Sequence, residues 1–146
     1  MPNLRFEKAD TDAAIEDWRY VHNEIVPADS LSLEEVRERV TRNLLEVAYL
    51  GDVLVGCSTV RPPADDTATA TVIARILPAH RGQGFGEQLY QRGLERARGL
   101  GAEVIETIVL GTTNPDGLAF ARKRGFVEVE RYVADVDEIW HTLRLT

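Results

Sequence analysis

Hydrophobic and polar residues follow two rhythms along this chain. Over residues 4–8 they alternate one by one, the period of a strand. Thr11 and Asp12 then open a segment in which Ile15, Trp18 and Val21 recur at helical spacing, until Pro27-Ala28-Asp29-Ser30 breaks it. Ser32 followed by Glu35 has the form of a capping box and predicts a second helix, with Leu33, Val36 and Val40 on its apolar face. Leu44–Leu50 and Val53–Arg61, joined by Gly51-Asp52, read as a β-hairpin. Residues 62–66 read as a loop and Thr69–Ile76 as a strand of β-branched and small residues. A helix over 87–98 would bury Leu89, Tyr90, Leu94 and Ala97 and stop at Gly99-Leu100-Gly101. A strand over 103–110, a short helix over 114–124 capped by Asn114, and closing strands over 126–136 and 139–145 complete the pattern. A chain of 146 residues is long enough for one real core and too short for two ordinary domains, so residues 1–146 are expected to form a single domain.

The densest chemistry lies where the fourth strand meets the third long helix: Ile76-Leu77-Pro78-Ala79-His80-Arg81-Gly82-Gln83-Gly84-Phe85-Gly86. Alternate glycines strip this backbone of side chains. Its N–H groups can then converge at the positive end of a helix, an arrangement suited to a diphosphate. Arg81 adds a fixed positive charge. A tight turn that needs positive φ would ask for glycine as well. A Walker loop is excluded, because Gly-Lys followed by Ser or Thr is lacking. A dinucleotide fingerprint is excluded by the spacing of Gly82, Gly84 and Gly86 and by their place in mid-chain.

What remains, Arg81-x-x-Gly84-x-Gly86 with Ile76 and Pro78 upstream, resembles the acyl-CoA loop of the GNAT N-acetyltransferase superfamily. A second stretch, from Asn114-Pro115-Asp116-Gly117 to Gly125-Phe126, is similar to that family's last helix, which opens with Asn and closes with Gly-Phe. The resemblance implies an α+β fold of the GNAT-like acyl-CoA N-acyltransferase type. In it a central, mixed, mostly antiparallel twisted sheet is flanked by helices, with a cofactor cleft between its two middle strands. It implies acetyl-CoA as co-substrate, and direct transfer of acetyl to a primary amine, on a small molecule or a protein, in a ternary complex. Ile76 and Leu77 would hold the pantetheine arm through their backbones, with Pro78 at the strand end. The amides of Arg81, Gly82, Gln83, Gly84, Phe85 and Gly86 would hold the diphosphate. Asn114 would meet the pantetheine, although capping alone would explain it. A backbone N–H at the end of the fourth strand would face the developing oxyanion.

The chain departs from the family pattern at Ala121, where the usual general-acid tyrosine would stand. A general acid is worth roughly 10²–10⁴ in rate, yet a thiol with a pKa of about 8.5 is a tolerable leaving group without one. Tyr132 is a candidate proton donor or a cross-strand partner. Glu106 is a candidate base through a water, or a solvated strand carboxylate. His22 and Glu24 end the first helix, where this family builds its acceptor pocket; His22 there would equally serve the helix dipole. Arg75, beside the implied thioester site, could hold an acidic group on the acceptor or pair with a neighbouring carboxylate. Ala121 also admits an acyl-CoA-binding module without catalysis.

Composition narrows the partners. A net charge of −7 argues against nucleic acid, and the apolar runs are too short to span a bilayer. His22, His80 and His141 lack ligand spacing, so no metal is expected. The single cysteine, Cys57, lies in an apolar strand as a core residue and suits a reducing compartment. With no apolar signal stretch at the start of the sequence, a cytoplasmic location is expected. A homodimer is compatible with these properties.

Overall fold

The computed structural model describes residues 3–64, 66–135 and 137–145. Thr11 caps α1 (Asp12–Ile25) by accepting from the Ala14 N–H, and the segment buries Ile15, Trp18 and Val21 as its spacing requires. The Ser32/Glu35 capping box forms in full and starts α2 (Leu33–Val40). β1 (Arg5–Lys8) precedes these helices. β2 (Leu44–Leu50), β3 (Val53–Arg61) and β4 (Thr69–Ile76) follow them as an antiparallel meander. α3 (Phe85–Gly99) crosses to β5 (Val104–Leu110), and α4 (Pro115–Lys123) leads to the closing hairpin of β6 (Phe126–Asp135) and β7 (Glu138–Leu145). Val136, the expected end of β6, and position 65 of the expected loop lie outside the described residues.

The strands form one seven-stranded mixed sheet in the order β1-β2-β3-β4-β5-β7-β6, with β4 and β5 its parallel pair. The α+β architecture and the order of elements are those expected. α1 and α2 cover one face, with Trp18, Val21, Val36, Leu45, Val47 and Cys57 in a common core. α3 and α4 cover the other, around Val72, Tyr90, Leu94, Ile105, Phe126 and Leu143. No helix among the described residues is long and apolar enough to cross a membrane.

One irregularity positions the site. β4 and β5 pair only through Thr69–Val104, Ala70–Ile105 and Thr71–Glu106. Beyond these pairs β4 continues on β3 alone and β5 on β7 alone, so the middle of the sheet opens. The backbone groups of β4 and β5 that face this gap have no strand partner. Backbone polar groups away from water demand a partner, so the opening is prepared for something that pairs with strands.

Candidate active site

The gap between β4 and β5 widens into a cleft of about 640 Å³, a size common for small-molecule and cofactor sites. Its walls are Val72 to Ile76 of β4 and Thr107 to Leu110 of β5; its floor and mouth come from the glycine loop, α3 and α4.

The glycine loop is built from backbone. After β4, a single 3-10 turn (Pro78–His80) redirects the chain. Gly82 and Gly84 then take φ of 77° and 82°, a region that strains any residue with a Cβ. Gly84 occupies the N-cap of α3 and contributes no side-chain cap. α3 therefore begins at Phe85, two residues earlier than the expected start at residue 87, and the glycines form its N-terminus. The amides of its first turn have no intrahelical acceptor and open at the positive end of a 15-residue helix. At Gly86 a Cβ would stand 3.1 Å from the Phe120 ring, so glycine lets α4 close on α3.

Arg81 has a use that its sequence position does not reveal. Its Nε donates to the Ile76 carbonyl at 2.9 Å and a terminal nitrogen donates to Asp116 Oδ2 at 3.1 Å. It ties the loop to the end of β4 and to the first turn of α4, so its charge is shared with Asp116 rather than free. Lys123 and Arg124 also line the cleft. Arg124 pairs with Glu87 and lies 3.5 Å over the Phe120 ring, which joins α4 to α3. These α4 cations were not anticipated from the sequence.

Asn114 caps α4 by accepting from the Gly117 N–H at 3.0 Å, and it lines the cleft as well. Ala121 sits on the cleft wall. Close to it, Tyr90 of α3 packs edge-on against Phe120 and Phe126 and has its pKa raised by burial. Tyr90, expected only as a core residue, is the one tyrosine lining the cleft among the described residues.

On the α1–α2 face a second cavity of about 40 Å³ shares Ile73, Arg75 and Ile108 with the large cleft. His22 and Arg75 meet there. The His22 ring stacks on Trp18, and burial, then the charge of Arg75, lowers its pKa to about 4. It is therefore neutral at pH 7.

The other candidates lie elsewhere. Glu24 is exposed on α1 and lines neither cavity. Glu106 faces Thr71, the last paired residue before the sheet opens, and accepts from Arg144 at 2.7 and 3.0 Å. Tyr132 is 60% exposed on β6, the outermost strand, with Trp140 opposite. Ile76, Arg81, Gly82, Gly84, Phe85, Gly86 and Asn114 do line the cleft, whereas Leu77, Pro78 and Gln83 flank it. Cys57 is fully buried and burial pushes its thiol up to about 12, so it is no nucleophile. Among the described residues no group of His, Cys, Asp and Glu side chains could hold a metal ion.

Comparison with known proteins gives the arrangement a context. The model of the acetyltransferase (GNAT) family matches residues 11–126. An amino-acid acetyltransferase of Pseudomonas paraeruginosa is 32% identical over 92 residues, which is 63% of this chain and 20% of that protein. The chain thus spans about a fifth of the length of the curated relatives it matches. A crystal structure of a proposed phosphinothricin N-acetyltransferase superposes with a TM-score of 0.78 at 22% identity, covering 98% of each chain. A Bacillus subtilis acetyltransferase in complex with CoA superposes with a TM-score of 0.73 at 20% identity, also over 98% of each chain.

Proposed function

Because this chain belongs to the acetyltransferase (GNAT) family, we propose that it transfers acetyl from acetyl-CoA to a primary amine, directly and within a ternary complex, as one catalytic domain. The observation that carries this reading is the opening between β4 and β5, which ends on the uncapped N-terminus of α3.

The residues present fit acetyl-CoA. Beyond Thr71 the gap-facing backbone of β4 up to Ile76 offers strand-type hydrogen bonds to the amides of a pantetheine arm, whereas Leu77 is engaged by Val55 and His80 and the Ile76 carbonyl already accepts from Arg81. The amides from Arg81 to Gly86 offer converging donors to a diphosphate, with Lys123 adding charge while Arg124 is held by Glu87. Asn114 keeps the start of α4 in register while facing the arm. When bound, acetyl-CoA supplies an acyl group activated as a thioester.

The rest is placement and proton transfer. Holding amine and thioester in near-attack geometry supplies several kcal/mol of the barrier, on the order of 7–11 at best. An acceptor entering from the α1–α2 face would reach the thioester between Ile73, Arg75 and Ile108, the residues common to both cavities. The neutral imidazole of His22 is a proton acceptor on that side. Ala121 offers no proton to the leaving sulfur; Tyr90 is the phenol within the cleft, and thiolate departure tolerates its absence.

The test is amine-dependent release of CoA thiol by the purified chain. Release that saturates in both acetyl-CoA and an added amine is expected. A folded protein that releases no thiol with a broad panel of amines would overturn the reading.

A further inference from the structure

Resting on the acetyl-transfer reading, we infer that the acceptor is a small amino acid-like molecule whose own anionic group, a carboxylate or an equivalent oxyanion, is seated against Arg75 with Arg61 and Arg39.

The charges around the small cavity do not balance without such a group. Arg39, Arg61 and Arg75 line it, against one carboxylate, Asp29, among the described residues. This cationic cluster arises in a chain of net charge −7, so it is not a consequence of overall composition. Asp29 is engaged by Arg39 at 3.6 Å. Arg75 is only 8% exposed, and no hydrogen bond or ion pair reaches its guanidinium among the described residues. Arg61 at the rim likewise has none. A buried guanidinium without a counter-charge is costly. An incoming anion would complete it, and the planar fork of Arg matches a two-oxygen anion.

The size and position of the cavity limit what the anion belongs to. A volume of about 40 Å³ accommodates a carboxylate-sized group and not a peptide segment. Arg75 lines both this cavity and the large cleft. An anion on Arg75 therefore lies beside the place where the amine must meet the thioester, and the two groups belong to one short molecule.

His22 completes the arrangement. Asn23 is fixed by Leu31: its Oδ1 accepts from the Leu31 N–H at 2.9 Å and its Nδ2 donates to the Leu31 carbonyl at 3.0 Å. Oδ1 is thus the atom that faces His22 Nδ1 at 3.1 Å, and Nδ1 must carry the hydrogen. Nε2 is left with a lone pair on the side of the cavity, 4.0 Å from Asp29 Oδ2. An anion on Arg75 offsets the positive charge that depresses the basicity of His22. Binding the acid group thereby prepares the imidazole to take a proton from the neighbouring ammonium.

The experiment compares acetylation by the full chain of L-amino acids and aminoalkylphosphonates with that of the matching amino acid carboxamides and simple uncharged-chain amines, at saturating acetyl-CoA. The acid-bearing amines are expected to exceed their carboxamides at least 100-fold in kcat/KM. Arg75→Gln and, separately, Arg61→Gln should raise KM for the acid-bearing amines at least tenfold and shrink that ratio, and Arg61→Gln, which lies outside the large cleft, should leave KM for acetyl-CoA unchanged. Turnover of carboxamides or plain amines as efficient as that of the acids, or a ratio unmoved in both variants, overturns the inference while leaving acetyl transfer standing. If no amine is turned over, the acetyl-transfer reading fails instead, and the anion site is read by thermal shift. There, stabilisation by amino acids but not by their carboxamides, lost in Arg75→Gln, supports it, and equal or no stabilisation overturns it.

Discussion

The two halves of the proposed active site are built from different materials. The donor half, from β4 through the glycine loop into α3, offers backbone: free strand edges, left-handed glycines and uncapped amides. The acceptor half offers side chains drawn from separate places, with His22 on α1, Arg39 on α2, Arg61 on β3 and Arg75 on β4. Backbone recognition suits a ligand portion that never changes. Side-chain recognition suits one that varies between relatives, because each residue can be replaced without altering a turn.

The sharpest way to break this contrast is to put a side chain into the donor half. Gly84→Val forces a β-branched residue into φ of 82° and places methyl groups among the proposed diphosphate donors. Acetyl-CoA affinity by calorimetry should fall on the order of 100-fold, while the strain itself should cost about 1–2 kcal/mol of folding stability. Affinity within twofold of the parent would show that the loop does not hold the diphosphate.

In the acceptor half the largest effect should be on the pH dependence of folding. His22 has a folded-state pKa of about 4 against an ordinary 6.5, so the unfolded chain takes up its proton first as pH falls. The stability from keeping it neutral is complete above pH 6.5 and is lost between about 6.5 and 4, by roughly 3 kcal/mol. Arg75, Arg39, Arg61 and Asp29 face the same cavity, and only Asp29 would offset the arginines. Urea unfolding should therefore show a slope between pH 6.5 and 5, above the carboxylate range, that His22→Gln removes.

A smaller effect of unusual sign follows from Arg75. Because it has no hydrogen-bond or ion-pair partner among the described residues, Arg75→Gln should raise stability in urea by about 1 kcal/mol while impairing the acceptor. A loss of stability would assign Arg75 to the fold instead. Ser32→Ala should cost about 1 kcal/mol through the lost capping box of α2 and leave acetyl-CoA affinity unchanged, since α2 belongs to the acceptor half.

The same contrast explains what could be read from the sequence. A backbone site needs particular residues at fixed spacing, so Gly82, Gly84 and Gly86 announce themselves, as does Asn114 before Gly117. Helix and strand periods likewise fixed the order of elements, and the Ser32/Glu35 pair marked the start of α2. Side chains that converge from four elements leave no spacing to find: Arg75 adjoins the loop in the sequence, whereas Arg39 and Arg61 lie far from it. Tyr132 and Glu106 carry suitable chemistry, but topology sends β6 to the outer edge and places Glu106 at the last closed rung between β4 and β5. Tyr90 was legible only as core, because a helical period cannot separate a residue that packs from one that both packs and lines a cleft.

The most direct test of direct transfer is an initial-velocity matrix with acetyl-CoA and the acceptor varied together. Cys57, the sole cysteine, is buried with its thiol pushed up to about 12, so the site has no cysteine nucleophile to carry the acetyl group. Double-reciprocal lines that intersect are predicted, as a ternary complex requires. Parallel lines, the mark of a covalent acetyl-enzyme, would contradict the account.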